Sequence, residues 1–210
     1  MVDEYEVFPE REARLREVLA HRQPGLTLVL ENLYDPHNVA AILRSSDAVG
    51  VMAINLVYYI EQFPDFSRYG KQSSAGARKW IDRPEYTSVS DCYGALRAKG
   101  YKIYAAALDD SGRDLYDLDL TGNVALAFGN ERRGLSPEAI AQSDGCFQIP
   151  MVGMVQSLNV SVAVAVSLYE ALRQRKKAGL YAQPAIPEPE FSRIYAEWTQ
   201  KRSRRRDKAE

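Results

Sequence analysis

The sequence has few residues of the kinds that usually carry hydrolytic, redox or metal chemistry. Its two histidines do not lie near a serine or cysteine in a triad pattern, which argues against hydrolase chemistry. The two cysteines, Cys92 and Cys146, lack metal-ligand spacing and form no Cys-x-x-Cys motif. We therefore expect two free, buried thiols in a reducing compartment and no metal site.

Two other patterns are missing. No G-x-G-x-x-G or P-loop motif occurs, which argues against a nicotinamide dehydrogenase and a triphosphate-binding enzyme. No apolar run approaches the roughly 20 residues that span a bilayer. The chain is charged from Asp3 onward and lacks the apolar segment of a secretory signal. With 46% hydrophobic and 26% charged residues, the sequence predicts a cytoplasmic globular protein with no membrane partner.

Charge is balanced overall but unevenly placed. The net charge is −1, yet residues 201–208 (KRSRRRDK) contain six basic residues and one acid. Further basic clusters are Arg11, Arg14, Arg16 and Arg22 near the N-terminus, and Arg173, Arg175, Lys176 and Lys177. Any one cluster could be a solvated surface, but basic residues at both ends also suit a nucleic-acid partner.

Short apolar segments alternate with helical patterns along the chain. This alternation predicts an α/β fold, with a mostly parallel sheet covered by helices on both faces. We predict an N-terminal helical extension at 1–22, a central domain at 23–180, and a C-terminal helix with a basic tail at 181–210. Asn38, Ser90 and Ser136 are the predicted N-caps of three helices, and Pro137 is expected at the first position of the third.

The segment 149–172 (IPMVGMVQSLNVSVAVAVSLYEAL) is the most apolar part of the chain. Its strict alternation from Val160 to Val166 is typical of a strand, but its length and the stop at Gly179 favour a helix. We predict a helix that is buried on all sides, with Ser157 as its N-cap. Ligands of such folds bind beyond the carboxyl ends of the strands. Four polar or glycine-bearing loops follow strands here, at 32–38, 107–112, 129–134 and 150–156.

Arg44 is a candidate functional residue. It lies off the apolar stripe of its predicted helix, and its neighbours Ala40, Ala41 and Ala48 are small, which leaves room for a guanidinium to meet a large ligand. The alternative is an intrahelical ion pair with Asp47 or an ordinary exposed arginine.

Three motifs together resemble those of the SpoU/TrmH family, the RNA 2′-O-ribose methyltransferases of the SPOUT superfamily. They are 38–44 (NVAAILR), 128–134 (FGNERRG) and 149–159 with its Val-Ser-Val-Ala continuation. The resemblance covers roughly 11–181, and MVQSLNVSVA is its most specific part. The chain is most similar to the type that methylates the guanosine at nucleotide 18 in the tRNA D-loop. Arg132 and the length of the basic tail are mild departures from the family pattern.

The resemblance implies a deep trefoil knot at the C-terminal end of the sheet, a homodimer, S-adenosylmethionine as cofactor and tRNA as substrate. It implies cofactor contacts at Ala106, Gly129, Ile149, Met151 and Leu158. The polar functional positions of the family fall on Asn38, Arg44, Glu131, Ser157 and Asn159.

The resemblance also suggests Arg44 as the base that takes the proton of the ribose 2′-hydroxyl. Because arginine is effectively never neutral in proteins, we interpret Arg44 as a clamp and electrostatic stabiliser, with a phosphate or water taking the proton. Glu131 is the alternative base. The sequence leaves open whether Arg44 acts in its own subunit.

Other functions remain compatible with these residues. The same fold could methylate ribosomal RNA or the tRNA anticodon loop. A non-catalytic RNA-binding protein is the alternative of a different class, and it would not bind the cofactor.

Overall fold

The computed structural model describes residues 9–64, 76–109 and 112–206. A seven-stranded sheet forms its centre, with the strand order β3-β2-β1-β6-β4-β7-β5 and parallel pairing at every step. The strands are β1 (Leu26–Glu31), β2 (Ile54–Val57), β3 (Glu85–Tyr86), β4 (Lys102–Ala106), β5 (Arg113–Asp114), β6 (Val124–Phe128) and β7 (Gly145–Gln148).

Helices cover both faces of the sheet. They are α1 (Pro9–Ala20), α2 (Pro36–Ala48), α3 (Val89–Ala98), α4 (Pro137–Ala141), α5 (Val160–Lys177) and α6 (Glu190–Arg206), with 3₁₀ turns at Ala77–Lys79 and Leu115–Asp117. The predicted α/β fold is confirmed. The edge strands β3 and β5 were not predicted, because two residues are too few to show a periodic pattern. Within the described ranges, no helix is both long and apolar enough to cross a membrane.

Strand β1 shows how the sequence places two layers of helices. All six of its residues are buried, as expected for a parallel strand covered on both faces. Leu28 and Leu30 belong to the apolar cluster that also contains residues of α2 and α5, whereas Val29 belongs to the cluster with residues of α3. Because side chains alternate along a strand, one continuous apolar run supplies both cores.

Of the four N-caps predicted from the sequence, Ser136 is confirmed, because its hydroxyl accepts the backbone N–H of Ala139 at 3.1 Å. The other three are wrong. Asp35 caps α2, its carboxylate accepting the backbone N–H of His37 at 2.8 Å, and Asn38 lies inside the first turn. Ser88 caps α3 instead of Ser90. Asn159 caps α5 instead of Ser157, because its side chain accepts the backbone N–H of Ser161 at 2.8 Å. The corrections free the Asn38 and Ser157 side chains for contacts outside the helix.

The segment after Asn159 is helical. The length of the apolar segment was therefore a better guide than its strand-like alternation. The prediction that α5 is buried on all sides is wrong for this single chain. Val162 is 47% exposed and Tyr169 is 54% exposed, although Val164 and Leu168 are fully buried. One face of α5 therefore packs on the core while another faces outward.

The terminal helices α1 and α6 pack together in a separate apolar cluster that includes Leu19 and Trp198. Arg22, just after α1, is fully buried, bonds the carboxylate of Asp47 at 2.6 Å, and lies 5.2 Å from the centre of the Trp198 ring. The C-terminal helix continues to Arg206, through most of the basic stretch.

Two arginines from the predicted basic clusters have structural roles. Arg22 and Arg175 are buried, which removes both from any RNA-facing surface. Arg14 and Arg16 pair with glutamates of their own helix, and Arg173 pairs with Glu170. These clusters therefore offer less free positive charge than the sequence suggests.

Candidate functional site

A cleft of about 790 Å³ opens at the carboxyl ends of β4, β6 and β7. The loops that follow these three strands form its walls, in agreement with the predicted position of a ligand in a parallel sheet. All five residues predicted to contact a cofactor line it, namely Ala106, Gly129, Ile149, Met151 and Leu158. Their side chains are apolar or absent, so backbone groups and apolar surface dominate this wall.

Gly129 shows why one wall is built from backbone. A β-carbon at this position would lie 2.1 Å from the carbonyl carbon of Gly134 and 2.1 Å from the nitrogen of Leu135. Any side chain would separate these two parts of the loop. The sequence needs glycine here because the loop returns onto itself directly after β6.

Glu131 connects the β6 loop to the start of α2. Its Oε2 accepts the backbone N–H of Tyr34 at 2.9 Å, and its Oε1 accepts the backbone N–H of Asp35 at 3.2 Å. The Asn38 amide also donates to Oε1, at 2.7 Å. One carboxylate therefore holds two segments that are far apart in the sequence.

The same network continues into the third motif. The Asn159 amide nitrogen donates to Oδ1 of Asn38 at 3.1 Å, which links Asn159 through Asn38 to Glu131. Ser157 lies in the same cleft wall and is exposed. Four of the five predicted polar site residues are thus brought together, although their roles remain predictions.

The hydrogen bonds to Glu131 determine its charge state. Burial alone would raise the pKa of its carboxyl group. The donors Asn38, Tyr34 and Asp35 outweigh burial and hold the pKa of Glu131 below its ordinary value. Glu131 is therefore a carboxylate at neutral pH, and its lowered pKa makes it a weaker proton acceptor, which favours a role in organising donors over that of a base.

Arg44 is not brought into this cleft. It lies on the exposed side of α2 and is absent from the cleft wall. The alternative pairing with Asp47 is excluded, because Asp47 pairs with the buried Arg22. In the part of the chain that the structure describes, no carboxylate forms an ion pair with Arg44, so its charge is available to an external ligand.

Sequence reasoning missed two asparagines that brace the site. Asn130, 5% exposed, donates to the carbonyl of Asn32 at 2.7 Å and accepts the N–H of Arg132 at 2.9 Å. Asn32 has a φ of 49° and accepts the N–H groups of Tyr59 and Ile60, both at 3.0 Å. An asparagine directly after a buried strand is the signal that could have revealed Asn32, since asparagine tolerates the left-handed region.

The two cysteines differ in how deeply they are buried. Cys92 is buried, but Cys146 is only half-buried, against expectation, and burial raises the pKa of its thiol. Among residues 9–64, 76–109 and 112–206, no group of three or more histidines, cysteines or carboxylates could hold a metal ion. A more open cleft of about 540 Å³ lies beside the 3₁₀ turn Leu115–Asp117, away from the network around Glu131.

Comparisons with known proteins agree with this geometry. The model of the SpoU rRNA Methylase family matches residues 25–169, which is more than half of the chain. A tRNA (guanosine(18)-2′-O)-methyltransferase from Thermus thermophilus is 44% identical over 191 residues, covering 91% of this chain and 96% of the relative.

Two solved structures extend the comparison. The fold is similar to that of a TrmH/SpoU tRNA modifying enzyme from A. aeolicus, with a TM-score of 0.82 and 34% identity over 91% of this chain and 96% of that one. It is also similar to an AdoMet-bound rRNA methyltransferase from Sinorhizobium meliloti, with a TM-score of 0.65 and 30% identity over 76% of this chain and 59% of that one. The protein therefore belongs to the SpoU rRNA methylase family.

Proposed function

We propose that this protein transfers a methyl group from S-adenosylmethionine to a ribose 2′-hydroxyl of tRNA, at the guanosine of position 18 in the D-loop. The observation that carries the proposal is a cleft lined by the second and third motifs, whose Glu131 and Asn159 are hydrogen-bonded to Asn38 of the first. The chain is also similar to a tRNA guanosine-18 methyltransferase over 96% of that relative's length. The rRNA methyltransferase is matched over only 59% of its length, which favours tRNA over rRNA as the substrate.

The cleft fits the proposed cofactor. Ala106, Ile149 and Leu158 offer apolar surface to a flat base, and the loop at Gly129 presents backbone groups. S-adenosylmethionine, when bound, supplies a methyl group on a positively charged sulfur. The task of the protein is then placement and electrostatics, because the cofactor carries the reactive group.

Asn38, Ser157 and Asn159 orient the ribose in this proposal. The Asn38 amide is fixed by Glu131 on one side and Asn159 on the other, so its direction is set before the RNA binds. Glu131 holds the start of α2 and remains ionised, because hydrogen bonds keep its pKa low. A preorganised polar frame of this kind avoids the cost of reorienting dipoles during the reaction.

Arg44 acts as the clamp on an RNA phosphate and stabilises negative charge developing on the ribose oxygen. A guanidinium stays charged and binds phosphate through two parallel hydrogen bonds. It therefore takes no proton, and the phosphate or a water molecule accepts the proton of the hydroxyl.

The position of Arg44 leads to the proposed homodimer. Arg44 lies outside the cleft of its own chain, so we infer that it completes the cleft of a second copy. Near the cleft, Val152, Met154 and Val155 are 104%, 100% and 63% exposed, and Val162 on α5 is 47% exposed. Apolar surface of this kind on a soluble protein marks an interface, and a second subunit would cover it.

The proposal includes the deep trefoil knot. Strand β7 pairs with β4, yet α5, which follows β7, packs against α2 beside β1. The segment 149–159 must therefore cross the carboxyl ends of β4 and β6 in front of the Gly129 loop. A knotted chain would need its segment to cross in this way, although most proteins do not thread one loop through another.

The terminal regions, 1–22 and 181–210, are the proposed tRNA-binding extensions of a catalytic domain at 23–180. Their support is the separate apolar cluster that joins α1 to α6, together with the basic stretch 201–208. We also propose a cytoplasmic location, because tRNA, the proposed substrate, is found there.

The proposal is tested by incubating the protein with labelled S-adenosylmethionine and tRNA from a strain that lacks the modification, followed by mapping of the methylated nucleotide. We expect one labelled 2′-O-methylguanosine at position 18. Label at an anticodon nucleotide, or in ribosomal RNA only, would favour the alternative substrates. A protein that binds RNA but not S-adenosylmethionine would be a non-catalytic binder.

A further inference from the structure

An exposed aromatic ring lies at the rim of the cleft. Tyr34 is 61% exposed, whereas its neighbour Leu33 is only 2% exposed. The backbone N–H of Tyr34 donates to Glu131 at 2.9 Å, so the position of the ring is tied to the network of the site. Tyr34 itself is not part of the cleft wall, which places the ring outside the proposed cofactor site.

A positively charged side chain lies over this ring. The guanidinium carbon of Arg132 lies 5.4 Å from the centre of the Tyr34 ring, and Arg132 lines the cleft. The next residue, Arg133, is neutralised by Glu61 at 2.6 Å, but no carboxylate of the described residues pairs with Arg132. Arg132 therefore brings unneutralised charge to the rim beside an aromatic ring.

Both residues are held by buried groups. The N–H of Arg132 donates to Asn130 at 2.9 Å, and Asn130 in turn donates to the carbonyl of Asn32 at 2.7 Å, two residues before Tyr34. The backbone segments that carry the ring and the guanidinium are therefore linked through the side-chain amide of Asn130. A planar ligand that stacks there would find its partners already positioned, which lowers the entropic cost of binding.

We propose that Tyr34 and Arg132 form a stacking platform for the nucleobase attached to the methylated ribose. The inference rests on the proposed function. If the ribose oxygen must reach the cleft, its base, bonded to the adjacent carbon, has to lie at the rim. Proteins that recognise RNA loops stack the unstacked bases on aromatic rings and guanidinium planes, and the D-loop is such a loop.

The platform is tested with two tRNA transcripts, one with guanosine and one with an abasic ribose at the target nucleotide. For the guanosine substrate, Tyr34→Ala should lower kcat/KM on the order of tenfold, the size of one lost base stack. Tyr34→Phe keeps the ring and should retain wild-type kcat/KM, and Arg132→Ala should resemble Tyr34→Ala. For the abasic substrate, Tyr34→Ala and the wild type should be equal, because no base remains to stack.

A penalty that persists unchanged on the abasic substrate, or its absence on the guanosine substrate, would overturn the platform. A second readout is independent of methyl transfer. In RNA with 2-aminopurine at the target, stacking should quench fluorescence on binding to the wild type and to Tyr34→Phe but not to Tyr34→Ala. Equal quenching by all three proteins would also refute the inference. Failure of the wild type to methylate any tRNA would instead refute the proposed function.

Discussion

The two ends of the sheet are each held by one charged side chain. At the amino end, Arg175 of α5 is 2% exposed and donates to the carbonyls of Leu120 and Gly25 at 2.8 Å, and also to that of Gly122. At the carboxyl end, Glu131 accepts from two backbone N–H groups and one amide. Arg175 is enclosed by acceptors, whereas Glu131 stands at an open cleft.

The comparison separates a residue that stabilises the fold, Arg175, from one that shapes the candidate site, Glu131. Burial lowers the pKa of Arg175, and its stabilisation depends on a full set of oxygen acceptors. Glu131 has fewer buried contacts but determines where Asn38 and the start of α2 lie in the site. At each end of the sheet, one charged side chain therefore binds several loops. Arg175 stabilises the amino end, and Glu131 organises the candidate site at the carboxyl end.

The largest expected effect concerns stability at the amino end of the sheet, where Arg175 is enclosed. Arg175→Met removes the donor to at least three carbonyls, so the free energy of unfolding should fall by about 3 kcal/mol or more. The activity of the protein that remains folded should change little. Urea denaturation and activity per folded molecule measure the two quantities.

Arg173→Met is the matched control, two residues away on the same helix. Its guanidinium is exposed and pairs with Glu170, so its loss should destabilise the protein far less. Equal destabilisation by both substitutions would show that the enclosure of Arg175 carries no special weight.

The second effect concerns the rate of methyl transfer at the carboxyl end of the sheet, where the cleft opens. Arg44→Ala should reduce methyl transfer by at least ~100-fold, the size of one lost preorganised electrostatic contact, without changing stability. Single-turnover methylation with saturating cofactor and tRNA measures the rate. A near-normal rate would rule out both proposed roles of Arg44, the clamp on the phosphate and the stabiliser of charge on the ribose oxygen.

Mixed dimers then show which subunit supplies Arg44. Subunits with Arg44→Ala are combined with subunits carrying Glu131→Gln, and the mixed species is isolated. If the two residues act across the interface, one of its two sites has both natural residues, so about half of the activity should return. If they act within one chain, each site carries one of the two substitutions, so activity should stay below that of the Glu131→Gln homodimer.

The third effect is a pH dependence at Glu131. Because its pKa is lowered in the folded protein, Glu131 contributes stability that is fully present above its unfolded pKa and is lost as pH falls through the lower, folded value. Glu131→Gln should therefore be less stable than the wild type at neutral pH, with the difference closing in acid below the ordinary range of glutamate. Urea denaturation across this pH range measures the difference.

Activity at neutral pH should fall about tenfold in Glu131→Gln, because charge-assisted hydrogen bonds to the start of α2 weaken. Glu138→Gln on α4 removes an exposed carboxylate away from this network and controls for the loss of charge. A gap between wild type and Glu131→Gln that stays constant into acid would contradict the assigned role of the carboxylate.

The sequence predicted the parts of the fold that depend on apolar pattern. The continuous apolar run 124–128 (VALAF) predicts a buried strand, and β6 (Val124–Phe128) has the same bounds. Three of the four predicted N-caps failed because the local sequence offers several capping residues within a few positions. Asp35 precedes Pro36 at the first helical position, and that pair, rather than Asn38, starts α2.

Only those residues of the site that belong to a sequence motif could be predicted. The position of Glu131 follows from its motif, but its bonds to Tyr34 and Asp35 join residues about a hundred positions apart, which no local pattern contains. The same is true of Arg22 and Arg175. Both read as surface charges in the sequence, and only tertiary packing shows that both are buried.

The smallest expected effect lies outside both ends of the sheet, in the basic stretch. Deleting 201–210 should weaken tRNA binding several-fold at physiological salt and flatten the dependence of log Kd on log salt, because fewer phosphate contacts release counterions. The maximal rate at saturating tRNA should be unchanged, since neither Arg175 nor Glu131 is touched. A variant of full length with the six basic residues replaced by serine separates charge from helix length. If the deletion leaves the salt slope unaltered, the stretch does not contact RNA, and binding must depend on basic residues elsewhere on the surface.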